Sequence, residues 1–290
     1  MVYRAPADVQ AWLAGLPSLD ELRAEYPSEW EAVAREVGEA AADGELTSYA
    51  AALRRRSRDA RLEVRRQMAV GLLRQLAMSA ATGVTSGRVR FNLLNGWVAQ
   101  KLLFSSGLTR KPVSLPLFRL VWPLVWQKRL LMPLVQKKGI YCFYSRELIS
   151  GLADLIDGRP CLEIAAGDGT LSRLLRSAGV PVTATDDHSW SQVSFGDSVE
   201  RLDAARALRR YQPSVVLCSW PPAGNPFERA VFTTESVQLY VVISSKHEHA
   251  AGDWAAYRKQ RGFSWVLDPA LSGLVLPPEL DSAVYVFRRD

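Results

Sequence analysis

The chain has 290 residues, of which 48% are hydrophobic and 23% charged, with a formal net charge of +6. These values exclude a disordered or fibrous chain and leave room for two domains, or for one α/β domain with a large extension. Cys142, Cys161 and Cys218 are an odd number without paired ligand spacing, which argues against a disulfide framework or a zinc ribbon and fits a reducing compartment.

The charge is unevenly distributed. Residues 1–45 hold 3 Lys/Arg against 10 Asp/Glu (net −7), residues 46–139 hold 18 against 2 (net +16), and residues 140–290 hold 15 against 18 (net −3). No acid occurs between Glu63 and Glu147. A surface of that sign attracts an anionic partner such as nucleic acid, anionic lipid or an acidic carrier protein. The start of the chain, Met1 to Pro6, lacks the apolar run of a signal peptide. The apolar stretch from Pro112 to Val135 is interrupted by Arg119, Lys128 and Arg129, so its uncharged pieces fall short of the ~20 residues of a membrane span. The expected location is the cytoplasm.

In chain order, the acidic first 45 residues read as helical. Ser18 followed by Glu21 is a capping-box signature ahead of Leu22, Trp30, Val33 and Val37, and Gly44 is a stop. The pattern then predicts one long helix from about Thr47 to Met78, its apolar side supplied by Leu53, Leu62, Val64, Met68, Leu72 and Leu76. Arg54, Arg55, Arg56, Arg58, Arg61, Arg65 and Arg66 make a basic strip along it. That strip is either a face complementing the acidic first helices or a nucleic-acid groove; RNA-binding signatures with interleaved aromatics and glycines are absent. A loop over Ala80–Gly87 and further helical pieces through Phe91–Phe104 and Leu115–Val135 follow, the last broken by Pro116, Pro123 and Pro133. Its Trp and Leu residues are expected to form core between two parts of the chain, with an apolar pocket or a membrane contact as alternatives.

From Lys137 the pattern changes. Ser145 caps a helix carrying Leu148, Ile149, Leu152, Leu155 and Ile156. Leu162 and Ile164 then read as a short buried strand, Ala165 to Gly169 as a small-residue turn, and Leu171, Leu174 and Leu175 as a helical stripe. Strand, tight turn and helix together let backbone N–H groups approach a cofactor closely. A second strand, Val182 to Asp186, ends in the carboxylates Asp186 and Asp187; Asp186 lies 23 positions after Glu163, near the roughly 20 of a ribose-binding acid. Asp203-Ala204 precedes another helix. Ser214 to Cys218 is a fourth strand that runs into Ser219-Trp220-Pro221-Pro222. A fifth strand, Leu239 to Ile243, ends near His247 and His249, and Phe263–Leu267 and Ala283–Phe287 read as a closing pair.

These residues resemble the motifs of class I S-adenosylmethionine (SAM) methyltransferases. Glu163 to Gly169 is similar to their first motif with Ala165 at the first glycine, Asp186 to the second, Asp203-Ala204 to the third, and Ser219–Pro222 to the Pro-Pro motif of amino-group methyltransferases with Trp220 inserted. The resemblance covers residues 140–290. It implies an α/β, Rossmann-like, seven-stranded and mostly parallel sheet with helices on both faces, preceded by an all-α N-terminal region. The implied division is a basic helical cap over 1–139 and a SAM-binding domain over 140–290. The implied cofactor residues are Tyr141, Glu163, Ala165, Gly167, Asp168, Gly169, Asp186, Asp187, Asp203, Ala204 and Ser219. Ser219, Trp220, Pro221, Tyr144 and His247 are the candidates for orienting the acceptor and moving its proton. Metal binding through His247 and His249, with His188 or Asp187, rests on a lone His-x-His, and no metal is assigned.

The expectation is methyl transfer from SAM, releasing S-adenosylhomocysteine (SAH), to a small-molecule or carrier-bound natural-product intermediate. Nitrogen is favoured as the accepting atom. The alternatives are a nucleic-acid amino-group methyltransferase that uses the basic region, or a SAM-fold protein that uses SAM for a non-methylating alkyl transfer or cyclisation.

Overall fold

The computed structural model describes residues 6–14, 17–53, 59–82, 93–126, 128–136, 138–190 and 193–290. Helices α1 (Pro6–Ala14), α2 (Leu19–Glu25), α3 (Pro27–Ala42), α4 (Leu46–Ala52) and α5 (Ala60–Thr82) form the first layer. The capping box is present: Glu21 N–H donates to Ser18 Oγ at 3.1 Å and Ser18 N–H to the Glu21 carboxylate at 2.7 Å. The single helix expected over 47–78 is two, because α4 ends at Ala52 and α5 begins at Ala60 and runs on to Thr82. Their apolar faces meet in one cluster that includes Leu13, Leu22, Val33, Val37, Val64, Met68 and Leu73. Each such side chain contributes roughly 2 kcal/mol when fully buried.

The charge imbalance is answered inside this layer. Arg61 Nη2 lies 2.7 Å from Glu29, Arg65 bonds both Glu29 and Glu36, and Arg66 Nη2 lies 2.6 Å from Glu63. Arg54, Arg55, Arg56 and Arg58 lie outside the described residues.

Helices α6 (Leu93–Leu103), α7 (Leu115–Val121) and α8 (Leu131–Gln136) follow. The expected core role of the Leu115–Val135 stretch holds for one of its faces. Phe118, Trp122, Val125, Met132 and Val135 join the large cluster under the sheet, while Leu117, Leu120, Leu124 and Trp126 are exposed.

Helix α9 (Arg146–Ile156), N-capped by Ser145, leads into the sheet. Its strands are β1 (Cys161–Glu163), β2 (Val182–Asp186), β3 (Val199–Arg201), β4 (Val215–Ser219), β5 (Leu239–Ser245), β6 (Phe263–Asp268) and β7 (Ser282–Arg289). Their order is β3-β2-β1-β4-β5-β7-β6; β7 runs antiparallel to both neighbours, and the pairings from β3 to β5 are parallel. Side chains alternate between two cores as the period of 2 requires. Val215, Leu217, Val241, Ile243, Val284 and Val286 face α9 and the 99–135 segment; Val216, Cys218, Tyr240, Val242 and Phe287 face the other side. That other side is covered by α11 (Ala204–Tyr211), α12 (Arg229–Thr233) and α13 (Trp254–Lys259). Helix α10 (Thr170–Ser177) links β1 to β2. The order of these parallel strands reverses between β1 and β4, which opens a crevice at their C-terminal ends, where ligands bind in such sheets.

Candidate active site

A cavity of about 1650 Å³ lies at those strand ends, roofed by α2 and α5. Ala165 to Asp168, Asp186, Asp187, Asp203, Ala204, Ser219 and Trp220 line its sheet end, and Tyr141 and Tyr144 its wall. Gln67, Val70, Gly71 and Arg74 of α5 line the roof.

The turn after β1 is held by backbone pairing. Ala166 N–H donates to Thr185 O at 3.0 Å, and Gly167 N–H to Asp186 Oδ2 at 2.9 Å. Gly167 has φ +58°, and a Cβ built there would meet nothing within 4 Å, so its backbone faces open cavity. Gly169 has φ +70° and caps α10; its missing Cβ makes room for Val199, whose Cγ2 would lie 2.5 Å away. Gly169 therefore shapes the turn without lining the cavity.

Three residues other than glycine adopt left-handed backbone just past the ends of β1, β2 and β4: Ala165 (φ +49°), His188 (φ +56°) and Trp220 (φ +53°). Such conformations cost roughly 1–2 kcal/mol each, and strain of this kind gathers at functional sites. Ala165 thus takes the backbone that a glycine there would adopt at no cost.

Several expected site residues have structural duties. Glu163 does not line the cavity. Its carboxylate turns inward to accept Ser172 N–H at 2.9 Å and the Ser172 hydroxyl, and burial pushes its pKa up to about 7. Pro221 also lies off the cavity, and its carbonyl accepts Gly252 N–H at 3.1 Å. His247 is drawn away towards Asp281, 3.7 Å distant, where the 246–247 backbone returns to the start of β7. Burial, then His247, lowers the pKa of His249 to about 4. Among the described residues no three His, Cys, Asp or Glu side chains gather as a metal site.

Asp186 and Asp203 do line the cavity, each also serving the backbone. Asp186 takes Gly167 N–H and His188 N–H, both at 2.9 Å, and burial raises its pKa. Asp203 N-caps α11 through Arg206 N–H at 3.0 Å. A carboxylate oxygen has two acceptor sites, so each retains capacity for a ligand hydroxyl or amine.

Around Ser219 the wall is aromatic. Tyr144 Oη lies 2.9 Å from Ser219 Oγ, and Cys142 Sγ 4.0 Å from it. Burial pushes the Tyr144 phenol and the Cys142 thiol above their usual ranges, so both stay protonated near neutral pH. Trp220 stacks on Tyr141 (centroids 5.8 Å, 20°), and Tyr141 meets Trp190 at 5.8 Å. The buried Nε1 of Trp220 and Nε2 of His188 have no partner.

Arg74 and Arg110 were not singled out from the sequence. Arg110 is buried, donating to Cys142 O at 2.9 Å and Asp168 Oδ1 at 2.7 Å, which ties the turn to the wall. One signal for Arg74 was legible: Gln67, Val70, Gly71 and Arg74 repeat at 3–4 residues, marking a second helix face beside the apolar one.

The strand order with β7 alone reversed, and the glycine turn after β1, are those of the Rossmann-like, seven-stranded and mostly parallel sheet that the sequence resemblance implied. No family model matches the chain, and no curated protein matches it in sequence. Solved structures do match in part. Magnesium protoporphyrin IX methyltransferase from Synechocystis PCC 6803 with bound SAM is 16% identical over 50% of this chain and 79% of its own, with a TM-score of 0.35. A putative RNA methyltransferase from Pyrococcus horikoshii is 15% identical over 49% and 81% (TM-score 0.31). The plantazolicin methyltransferase BpumL in complex with SAH is 10% identical over 59% and 93% (TM-score 0.32).

Proposed function

We propose that the protein is a SAM-dependent methyltransferase acting on a small-molecule or carrier-bound acceptor, with nitrogen as the accepting atom. The observation that carries this reading is one continuous cavity, running from the Gly167 turn past Asp186 and Asp203 to Ser219 and on to α5. The open face of Gly167 and the Asp186 and Asp203 carboxylates on the lining fit a polar cofactor in it. The open Gly167 backbone, Asp186, Asp203 and Ala204 would hold SAM, which supplies an electrophilic methyl group.

The chain's own task is alignment. The Tyr144–Ser219 pair fixes one polar atom at the end of β4, and with Ser219 donating to Tyr144, the Ser219 oxygen accepts an acceptor N–H. Trp220 and Tyr141 supply flat apolar walls and exclude water. Nitrogen is favoured on proton chemistry. The groups touching Ser219 are a phenol and a thiol whose pKa values burial raises, and neither is a base near neutral pH. A neutral amine needs no proton removed before it attacks, whereas an alcohol does. The ion pairs of Arg61, Arg65 and Arg66 with acids of their own layer count against a nucleic-acid groove along α5.

The reading is tested by incubating the protein with methyl-labelled SAM and parallel panels of primary and secondary amines, alcohols and phenols, read by product mass. Label appearing on amines is the expected result; label confined to hydroxyl acceptors overturns the nitrogen assignment.

A further inference from the structure

Arg74 of α5 stands apart from the other cationic side chains around the cavity. It is 8% exposed, its Nη1 donates to Tyr141 Oη at 2.9 Å, and its Nε is buried without a partner. Among the described residues no carboxylate pairs with it. Arg110 by contrast has Asp168 at 2.7 Å, and Arg66 has Glu63 at 2.6 Å. Its Cζ lies 4.8 Å from the Tyr141 ring centroid and 5.5 Å from that of Trp190, and Tyr141 in turn stacks on Trp220.

A buried guanidinium without a counter-ion is costly, and ring contacts and one phenol oxygen offset only part of that cost. The planar fork of Arg is matched best by a carboxylate bound through two parallel N–H donors. Flat aromatic walls beside it suit a planar body carrying that carboxylate. We propose that Arg74 is the anion receptor of the acceptor pocket, so that the acceptor is a planar, carboxylate-bearing molecule seated among Trp190, Tyr141 and Trp220.

The assignment rests on the methyl-transfer reading and narrows its substrate class. A carboxylate reaching Arg74 has two sources, the acceptor or the methionine end of SAM. The acceptor is favoured because Arg74 sits on the roof helix with Gln67, Val70 and Gly71, and not on the strand ends that carry the Gly167 turn.

The test is calorimetric titration of the full chain, with and without saturating SAH. The probes are benzoate, 2-naphthoate and indole-3-carboxylate, each paired with its neutral amide. Wild type is expected to bind at least one acid tenfold or more tighter than its amide. Arg74→Gln should abolish that preference, Arg74→Lys should keep part of it, and SAH affinity should stay within about twofold in both. Thermal melts check that the variants fold, and Arg74→Lys carries the comparison if Arg74→Gln does not. The proposal is overturned if no acid beats its amide in wild type, or if the preference survives in Arg74→Gln. It is also overturned if folded Arg74→Gln loses tenfold or more in SAH affinity, which assigns Arg74 to the cofactor's carboxylate. Failure of wild type to bind SAH sinks the methyl-transfer reading separately, since the acid–amide comparison without SAH still reports on Arg74.

Discussion

The buried carboxylate of Glu163 accepts the backbone N–H of Ser172 at 2.9 Å, clamping the end of β1 to the first turn of α10. This clamp sets the path of the intervening turn, and it places an ionisable group where water does not reach it. Glu163 acts on the cavity through the backbone.

Its pKa, raised from 4.5 to about 7 chiefly by burial, makes stability depend on pH. The folded state holds this proton more tightly than the unfolded one, so between those values stability falls as pH rises. At ~1.36 kcal/mol per unit the loss is roughly 3 kcal/mol. Glu163→Gln keeps an acceptor for Ser172 N–H without the charge. Its stability at pH 8 should equal or exceed that of wild type, and the decline from pH 5 to 8 in urea titrations should shrink by at least half. An unchanged decline would locate the pH dependence in other groups.

Two glycines of the same turn should separate stability from binding. Gly169→Ala brings a Cβ within 2.5 Å of Val199 Cγ2 at φ +70°, and should cost about 2 kcal/mol or more. Gly167→Ala meets open space, so only the backbone penalty of about 1 kcal/mol applies, but its methyl enters the cavity. The measurements are thermal melts and SAH affinity: the first variant should lose mainly stability, the second mainly affinity. The reverse pattern would mean that the cofactor does not lie along this turn.

Ala165→Gly tests the strain argument. Relief of roughly 1–2 kcal/mol is partly offset by about 0.5–1 kcal/mol of added unfolded-state freedom. The melting temperature should therefore stay level or rise, whereas Ala165→Val should lower it. A clear fall for Ala165→Gly would show that the methyl group contributes packing that outweighs its backbone cost.

Glu228, in the loop after Pro222, is fully buried and accepts from Tyr240, Tyr257, the Asn225 amide and Asp253 N–H. Burial raises its pKa. Glu228→Ala strands four donors and should destabilise by about 3 kcal/mol or more. Glu228→Gln retains part of the network and should lose less. Equal losses from the two would deny that the network matters.

How much the sequence disclosed followed how local each signal was. Strands β1, β4 and β5 were legible because parallel strands buried on both faces appear as short apolar runs, whereas β3 (Val199–Arg201) is too short and polar to show as one. The turn from Ala165 to Gly169 was legible because tight backbone demands small residues. What escaped depends on partners far away in sequence. The Pro221 carbonyl is taken by Gly252, His247 turns to Asp281, and Arg110 meets Asp168 across 58 positions. The break between α4 and α5 carries no glycine or proline to announce it, since Leu53 to Asp59 reads as a continuing polar helix.

The central claim is that the cavity at the ends of β1, β2 and β4 holds SAM, and calorimetric titration of the full chain with SAH tests it most directly. Saturable binding of one SAH per chain, with a Kd below about 100 μM (about −5.5 kcal/mol), is the predicted result. No measurable heat and no rise in melting temperature with SAH at about 1 mM, tenfold above that Kd, would contradict it.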